Sequence, residues 1–230
     1  MHKKLVLAVI GLVALCLFGI TNSYAYTFND PVGDRIGNIA FEIYGMNVSN
    51  TANTITFDIY TNYPQTGYTI PSQNIGVWNT FAGDLALDLN GDNTYEYGVA
   101  FTNHDGLTPG GVYGVNNWNI SNSYTPQGFY CNWNEIVTIN HLDSTYKGMG
   151  SLTWEDVAGD EPSYRWRATL NASAFGLTDF NGQNFKVFYP VATCANDYVG
   201  GSYTATPEPS SLSLLGLGLL GLLKKLKKRK

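Results

Sequence analysis

The side chains best suited to chemistry are oxygen donors in two groups. Asp88-Leu89-Asn90-Gly91-Asp92-Asn93-Thr94-Tyr95-Glu96 places oxygens at alternate positions, the spacing with which hard-cation loops surround calcium. Asp88, Asn90 and Asp92 are its candidate ligands. The stretch departs from an EF-hand loop, because Asn93 rather than glycine stands sixth from Asp88 and Val99 rather than glutamate twelfth. Asn90 to Asn93 equally reads as a hairpin turn between two apolar runs. Asp30, Asp34 and the nearby Glu42 form the second group. Here too Asp30-Pro31 and Gly33-Asp34 are ordinary turn dipeptides. Calcium is the one cofactor to which the residue types point.

Sugar recognition is the next chemistry to weigh, since pyranose faces stack on aromatic rings. Trp118 and Trp133 lie in Asn-rich stretches with the character of loops, which makes them the candidate stacking residues, whereas Trp166 sits on an alternating apolar face. Catalysis has little to build on. His104 and His141 are not in a metal-ligand spacing, and neither a Gly-x-Ser-x-Gly elbow nor a phosphate-cradling glycine loop occurs. Glu155, Asp156, Asp160 and Glu161 could supply a glycosidase pair, but Gly159 and Pro162 mark the same stretch as an exposed acidic loop.

Period-two alternation supplies the elements that must carry these residues. Ile55, Phe57 and Ile59 share a face, as do Leu85, Leu87 and Leu89. Tyr95, Tyr97, Val99 and Phe101 repeat the pattern, followed by Tyr164, Trp166, Ala168 and Leu170, then by Phe185, Val187, Tyr189 and Val191. Further strands are expected at 40–49, 111–115, 137–142 and 151–157. A short helical turn is expected at Ala172 to Phe175, capped by Asn171 and stopped by Gly176. Many strands and little helix predict an all-β fold, an antiparallel β-sandwich or jelly roll.

Both ends of the 230-residue chain read as targeting segments. Lys3 and Lys4 precede the apolar run Leu5 to Ile20, and small residues at Ser23 and Ala25 predict a signal helix at 1–25 cleaved after Ala25. At the other end come Pro207-Glu208-Pro209, an apolar helix at 211–223 that is expected to be transmembrane, and a basic stop at 224–230. The apolar run is short for a bilayer core, which needs about 20 residues. The cations would hold the stop on the cytoplasmic side and leave the body outside. This three-part tail, 206–230, resembles the PEP-CTERM sorting signal of bacterial surface and matrix proteins, also labelled the ice-binding protein C-terminal domain. The resemblance implies that an exosortase-type enzyme recognises Pro207, Glu208 and Pro209 after transient anchoring at the inner membrane. It also implies delivery to the cell surface or an extracellular polysaccharide matrix.

Setting the ends aside leaves a body at 26–205 and changes its electrostatics. Of 13 Lys and Arg, Lys3 and Lys4 lie in the leader and six in the tail; of 18 acids, only Glu208 lies outside the body. Five cations thus face 17 acids, a net charge of −12, where the whole chain has −5. A surface of this sign repels nucleic acid and attracts metal ions or cationic partners. Cys131 and Cys194 remain in the body, and an exported pair suggests a disulfide, with two separate thiols as the alternative. The opening Asp30-Pro31-Val32-Gly33-Asp34, with Phe41-Glu42-Ile43 and Ile55 to Ile59, is similar to DOMON-like and glucodextranase C-terminal β-sandwiches. Val191 to Asp197 resembles the Cys-x-Asn-Asp element ahead of the tail in some PEP-CTERM proteins. The expected function is a non-enzymatic structural or adhesive role, with signal peptidase and an exosortase as processing partners. A carbohydrate-binding module, calcium-assisted, is the first alternative, and a secreted hydrolase the second.

Overall fold

Residue alternation becomes strand burial most clearly at the centre of the chain. In the computed structural model, which describes residues 24–72, 76–124, 131–159 and 161–206, strand β3 (Thr54–Thr61) buries Ile55, Phe57, Ile59 and Thr61 and turns Thr54, Thr56, Asp58 and Tyr60 outward. Its neighbours are β2 (Ile43–Asn50) and β13 (Tyr164–Asn171), with β1 (Tyr24–Asn29) and β12 (Ser151–Asp156) at the edges. These five form an antiparallel sheet in the order β1-β2-β3-β13-β12. A six-stranded antiparallel sheet contains β6 (Leu85–Asp88), β7 (Tyr97–Val99), β8 (Gly111–Val115), β11 (Ser144–Met149), β14 (Asn184–Pro190) and β15 (Tyr198–Thr204). Its order is β11-β8-β7-β6-β14-β15. Two small pairs complete the set: β4 (Tyr68–Ser72) with β5 (Gly76–Thr80), and β9 (Trp118–Ile120) with β10 (Ile136–Ile139).

The fold is therefore all-β with antiparallel sheets, and Tyr24–Thr206 forms one unit. The two large sheets supply a common core. Val48, Phe57, Ile59, Trp166 and Ala168 from the first meet Leu85, Leu87, Val99, Val112 and Val187 from the second. Phe57 and Phe185 pack edge to face with centroids 6.3 Å apart, and Phe101 lies 5.4 Å from Trp166. Burying each such side chain contributes about 1.5–3 kcal/mol. Ala100, Leu107, Tyr113, Val115 and Ile139 make a smaller cluster, with Trp118 packed against it. The expected turn at Ala172–Phe175 is a 3₁₀ turn stopped by Gly176 in the left-handed conformation, although the Asn171 side chain makes no capping bond. No helix among the described residues is long and apolar enough to cross a membrane. The helices expected in the leader and at 211–223 lie outside them.

Asp84, just ahead of β6, is a fully buried junction. Its Oδ1 accepts from the Phe101 N–H at 3.0 Å. Its Oδ2 accepts from the Ile139 N–H at 2.8 Å and lies 2.9 Å from His104 Nε2. Its own N–H donates to the Val137 carbonyl. The His104 ring stacks on Phe81 at 5.3 Å. Burial opposes the charged imidazole, but hydrogen bonding and charge from Asp84, with Asp105 adding to both, outweigh it and raise the His104 pKa above its ordinary 6.5. The stabilisation from this pair is thus complete below that value and is lost as pH rises through the folded pKa. Asp84→Ala strands two buried N–H groups and should lower stability by about 3–5 kcal/mol in urea unfolding. Wild type should also lose stability with rising pH above 6.5, and His104→Asn should lose that component.

Candidate functional site

The end of β1 and the loop after it carry Asp30 and Asp34, and the loop between β14 and β15 carries Asp197. Hydrogen bonds hold the two segments together: the Ile36 N–H donates to the Asn196 carbonyl at 2.7 Å, and Asn196 Nδ2 donates to the Ile36 carbonyl at 2.7 Å. Asp197 is 5% exposed. Its Oδ2 accepts from the Ile43 N–H at 2.7 Å and its Oδ1 from the Tyr198 N–H at 2.9 Å. One carboxylate oxygen from each of Asp30, Asp34 and Asp197 lies within 4.8 Å of the others. Asp30 Oδ2 is buried without a hydrogen-bond partner.

Glu42, fully buried beside this group, is already engaged. Its Oε1 accepts from the Gly33 N–H and its Oε2 pairs with Arg35 at 2.5 Å. It anchors the Asp30–Arg35 loop, and the third carboxylate grouped with Asp30 and Asp34 is that of Asp197. Desolvation, then the charges of Asp197, Asp34 and Glu42, pushes Asp30 up to about 8. Desolvation likewise pushes Asp197 up to about 7, against the N–H bonds that favour its charged form. At neutral pH the group either holds protons or is neutralised by a cation. Three carboxylates suit a hard cation such as Ca²⁺.

The Asp88 loop is different. Asp88 is fully buried, and its two oxygens accept from the Gly91 N–H at 2.6 Å and the Asn93 N–H at 2.9 Å. Asn90 accepts from the Asp92 N–H, Asp92 from the Thr94 N–H, and Glu96 from the Leu89 N–H. Asp88, Asn90, Asp92 and Glu96 thus each hold the loop's own backbone, Asn93 sits at φ +71°, and Glu96 Oε2 is buried without a hydrogen-bond partner. The loop is a hairpin turn between β6 and β7.

The two tryptophans singled out from sequence are placed differently. Trp118 lies against the smaller core, its indole N–H donating to the Tyr95 carbonyl at 2.8 Å. A Cβ on Gly98 would come within 2.8 Å of its ring and of the Ile139 side chain, so glycine is what lets both pack this closely on β7. Trp133 is 51% exposed, next to Asn122 and Asn134, which hydrogen-bond to each other. Cys131 and Cys194 stand as separate buried thiols, in adjoining segments: Asn132 Nδ2 donates to the Ala195 carbonyl at 2.6 Å. Burial pushes the Cys194 thiol up to about 12, so the folded protein holds it as a neutral, apolar group. Glu155 is paired with Arg165. Asp156 and Glu161 are exposed, and Asp160 lies outside the described residues. Ala25 is the second residue of β1, paired with Ser49, so the expected cleavage after it would remove the first two rungs of that strand. Pro207, Glu208 and Pro209 lie outside the described residues.

The described residues thus define an all-β body with a carboxylate cluster at one loop junction. The segment at the end of that body is more specific: residues 205–229 match the PEP-CTERM protein-sorting motif. The motif implies export, a membrane-anchored sorting signal and processing by an exosortase-type enzyme. No curated protein and no solved structure matches the chain, and the similarity of the body to DOMON-like and glucodextranase sandwiches gains no support.

The carboxylate cluster has a defined pH signature. Both Asp30 and Asp197 have folded pKa values above the ordinary 3.8, so their contribution to stability is greatest below that value and is lost as pH rises through about 7 and about 8. In chelator, wild type should lose stability across this window. Asp30→Asn should flatten the loss and be the more stable protein at the alkaline end, as read from urea midpoints.

Proposed function

We propose that this chain is an exported, non-enzymatic β-sandwich protein with a structural or adhesive role at the cell surface or in an extracellular polysaccharide matrix. The observation that carries the reading is the PEP-CTERM motif at 205–229, which begins directly after β15 ends at Thr204. Signal peptidase would release the leader, and the apolar tail with its basic stop would hold the precursor transiently at the inner membrane. An exosortase-type enzyme would then act near Pro207-Glu208-Pro209 and hand the body on.

The body's chemistry supports a passive role. His104 is held in the Asp84 junction, and Glu155 is tied to Arg165. Asp58 receives two hydrogen bonds from Arg167, at 2.6 and 2.9 Å, so three of the body's five cations, counting Arg35 with Glu42, are committed to structural pairs. With 17 acids against those five cations, the body repels anionic membrane surfaces and nucleic acid. Divalent cations would screen it in an acidic matrix, and the Asp30, Asp34 and Asp197 group offers them a point of attachment.

Replacing Pro207, Glu208 and Pro209 together by alanine tests the sorting reading. Wild type should partition to the cell surface or medium, whereas the triple variant should accumulate in the inner-membrane fraction with its body outside. Equal distribution of the two proteins between fractions would overturn the reading.

A further inference from the structure

The first two residues of the sorting motif belong to the folded body. The motif starts at Ala205, whereas the body runs to Thr206. Ala205 is fully buried. Its N–H donates to the Gln183 carbonyl and its carbonyl accepts from the Gly182 N–H, each at 2.8 Å. The Thr206 carbonyl accepts from Asn50 Nδ2 at 3.1 Å. The chain beyond β15 is thus fastened to the body up to the residue before Pro207.

Asn50 is a firm post for this purpose. It closes β2 and is 5% exposed. Its Oδ1 accepts from the Tyr203 hydroxyl at 2.6 Å, which leaves the amide nitrogen to donate to the carbonyls of Thr51 and Thr206. The turn after it is held from both sides. The Thr51 N–H donates to the Thr54 carbonyl at 2.9 Å, and the Ala52 and Asn53 carbonyls accept from the Phe180 and Ala172 N–H groups at 2.7 and 2.9 Å. Across the sheet Asn50 stands opposite Tyr24 of β1. Each expected processing point therefore lies one residue from a partner of Asn50: Ala25 follows Tyr24, and Pro207 follows Thr206.

A peptide bond whose flanking backbone is buried and hydrogen-bonded is cut only after that backbone opens. Peeling off Ala205 and Thr206 breaks the bonds to Gln183, Gly182 and Asn50 and exposes a buried residue. The body imposes this cost on any cut ahead of Thr206. We propose that Asn50 is a positioning residue for tail processing: by holding Thr206 it fixes where the motif leaves the body and confines the cut to the chain after Thr206. The bond that breaks is a main-chain amide, whose acyl half passes to water. The mature protein then keeps Ala205 and Thr206 as part of its fold. This inference rests on the sorting role proposed above.

Two near-isosteric variants separate positioning from stability. Asn50→Asp keeps the acceptor for Tyr203 and loses the donor to Thr206, whereas Tyr203→Phe loses the hydroxyl and keeps that donor. Each full-length protein is expressed in the source organism and recovered from envelope and medium. Its last residue is read from the mass of the C-terminal peptide, and urea midpoints are measured alongside. Wild type and Tyr203→Phe should end at Thr206 or shortly after it. Asn50→Asp should raise the share of product ending ahead of Thr206 by about tenfold, the effect of losing a hydrogen bond or two. An Asn50→Asp product with the wild-type end would overturn the proposal. So would a wild-type product that ends ahead of Thr206, or equal spreading of ends in both variants, which tracks stability alone. Wild type that keeps Lys230 would sink the sorting role, and this inference with it.

Discussion

The body must bury carboxylates with very few cations to pair them. Glu42, Asp84, Asp88 and Asp197 are each 5% exposed or less, and a lone buried charge is far too costly to keep. Backbone N–H groups supply most of the compensation: Phe101 and Ile139 for Asp84, Gly91 and Asn93 for Asp88, Ile43 and Tyr198 for Asp197. Each carboxylate thereby becomes the post around which a loop is wound. Asp84 in particular fixes Phe101, whose ring lies against Trp166. At Asp30 and Asp197 desolvation, with the neighbouring acidic charges, raises the carboxyl groups so that they hold protons into the neutral range.

Much of this architecture was legible in the chain. The alternations at Ile55–Ile59, Tyr164–Leu170 and Phe185–Tyr189 are β3, β13 and β14, and the turn at Ala172–Phe175 falls where Gly176 ends it. Strands without an apolar rhythm were not. In β4 a proline interrupts the pattern, β15 carries Gly200 and Gly201, and β11 is polar with a bulge between Tyr146 and Gly148. Tyr24 and Ala25 belong to β1, although their small and aromatic side chains read as the end of a leader. Such strands are held by their neighbours' hydrogen bonds rather than by their own pattern.

The sites show the same division. Asp30 and Asp34 were visible as a local pair, but their partner Asp197 comes from the far end of the chain and is brought in by the Ile36–Asn196 hydrogen bonds. Glu42 looked like a ligand because sequence does not show that Gly33 and Arg35 occupy its oxygens. Trp166 looked like core because it is core on one side. Only the strand register, which sets Trp154 opposite it, shows that the two tryptophans line one cavity. In each case the residue type was informative and the missing quantity was the partner, long-range for Asp30 and Asp34 and local for Glu42.

Body and tail divide the work of the molecule. The sheets and their carboxylate-pinned loops make the all-β body, and the segment after β15 carries the sorting motif. The claim that this motif directs the chain's fate is tested most directly by the intact mass of the protein recovered from envelope and medium. The account predicts a species that begins at Tyr26 and ends near Thr206, without the basic residues 224–230. A recovered protein that still carries Lys230 would contradict it and leave the tail as a plain anchor.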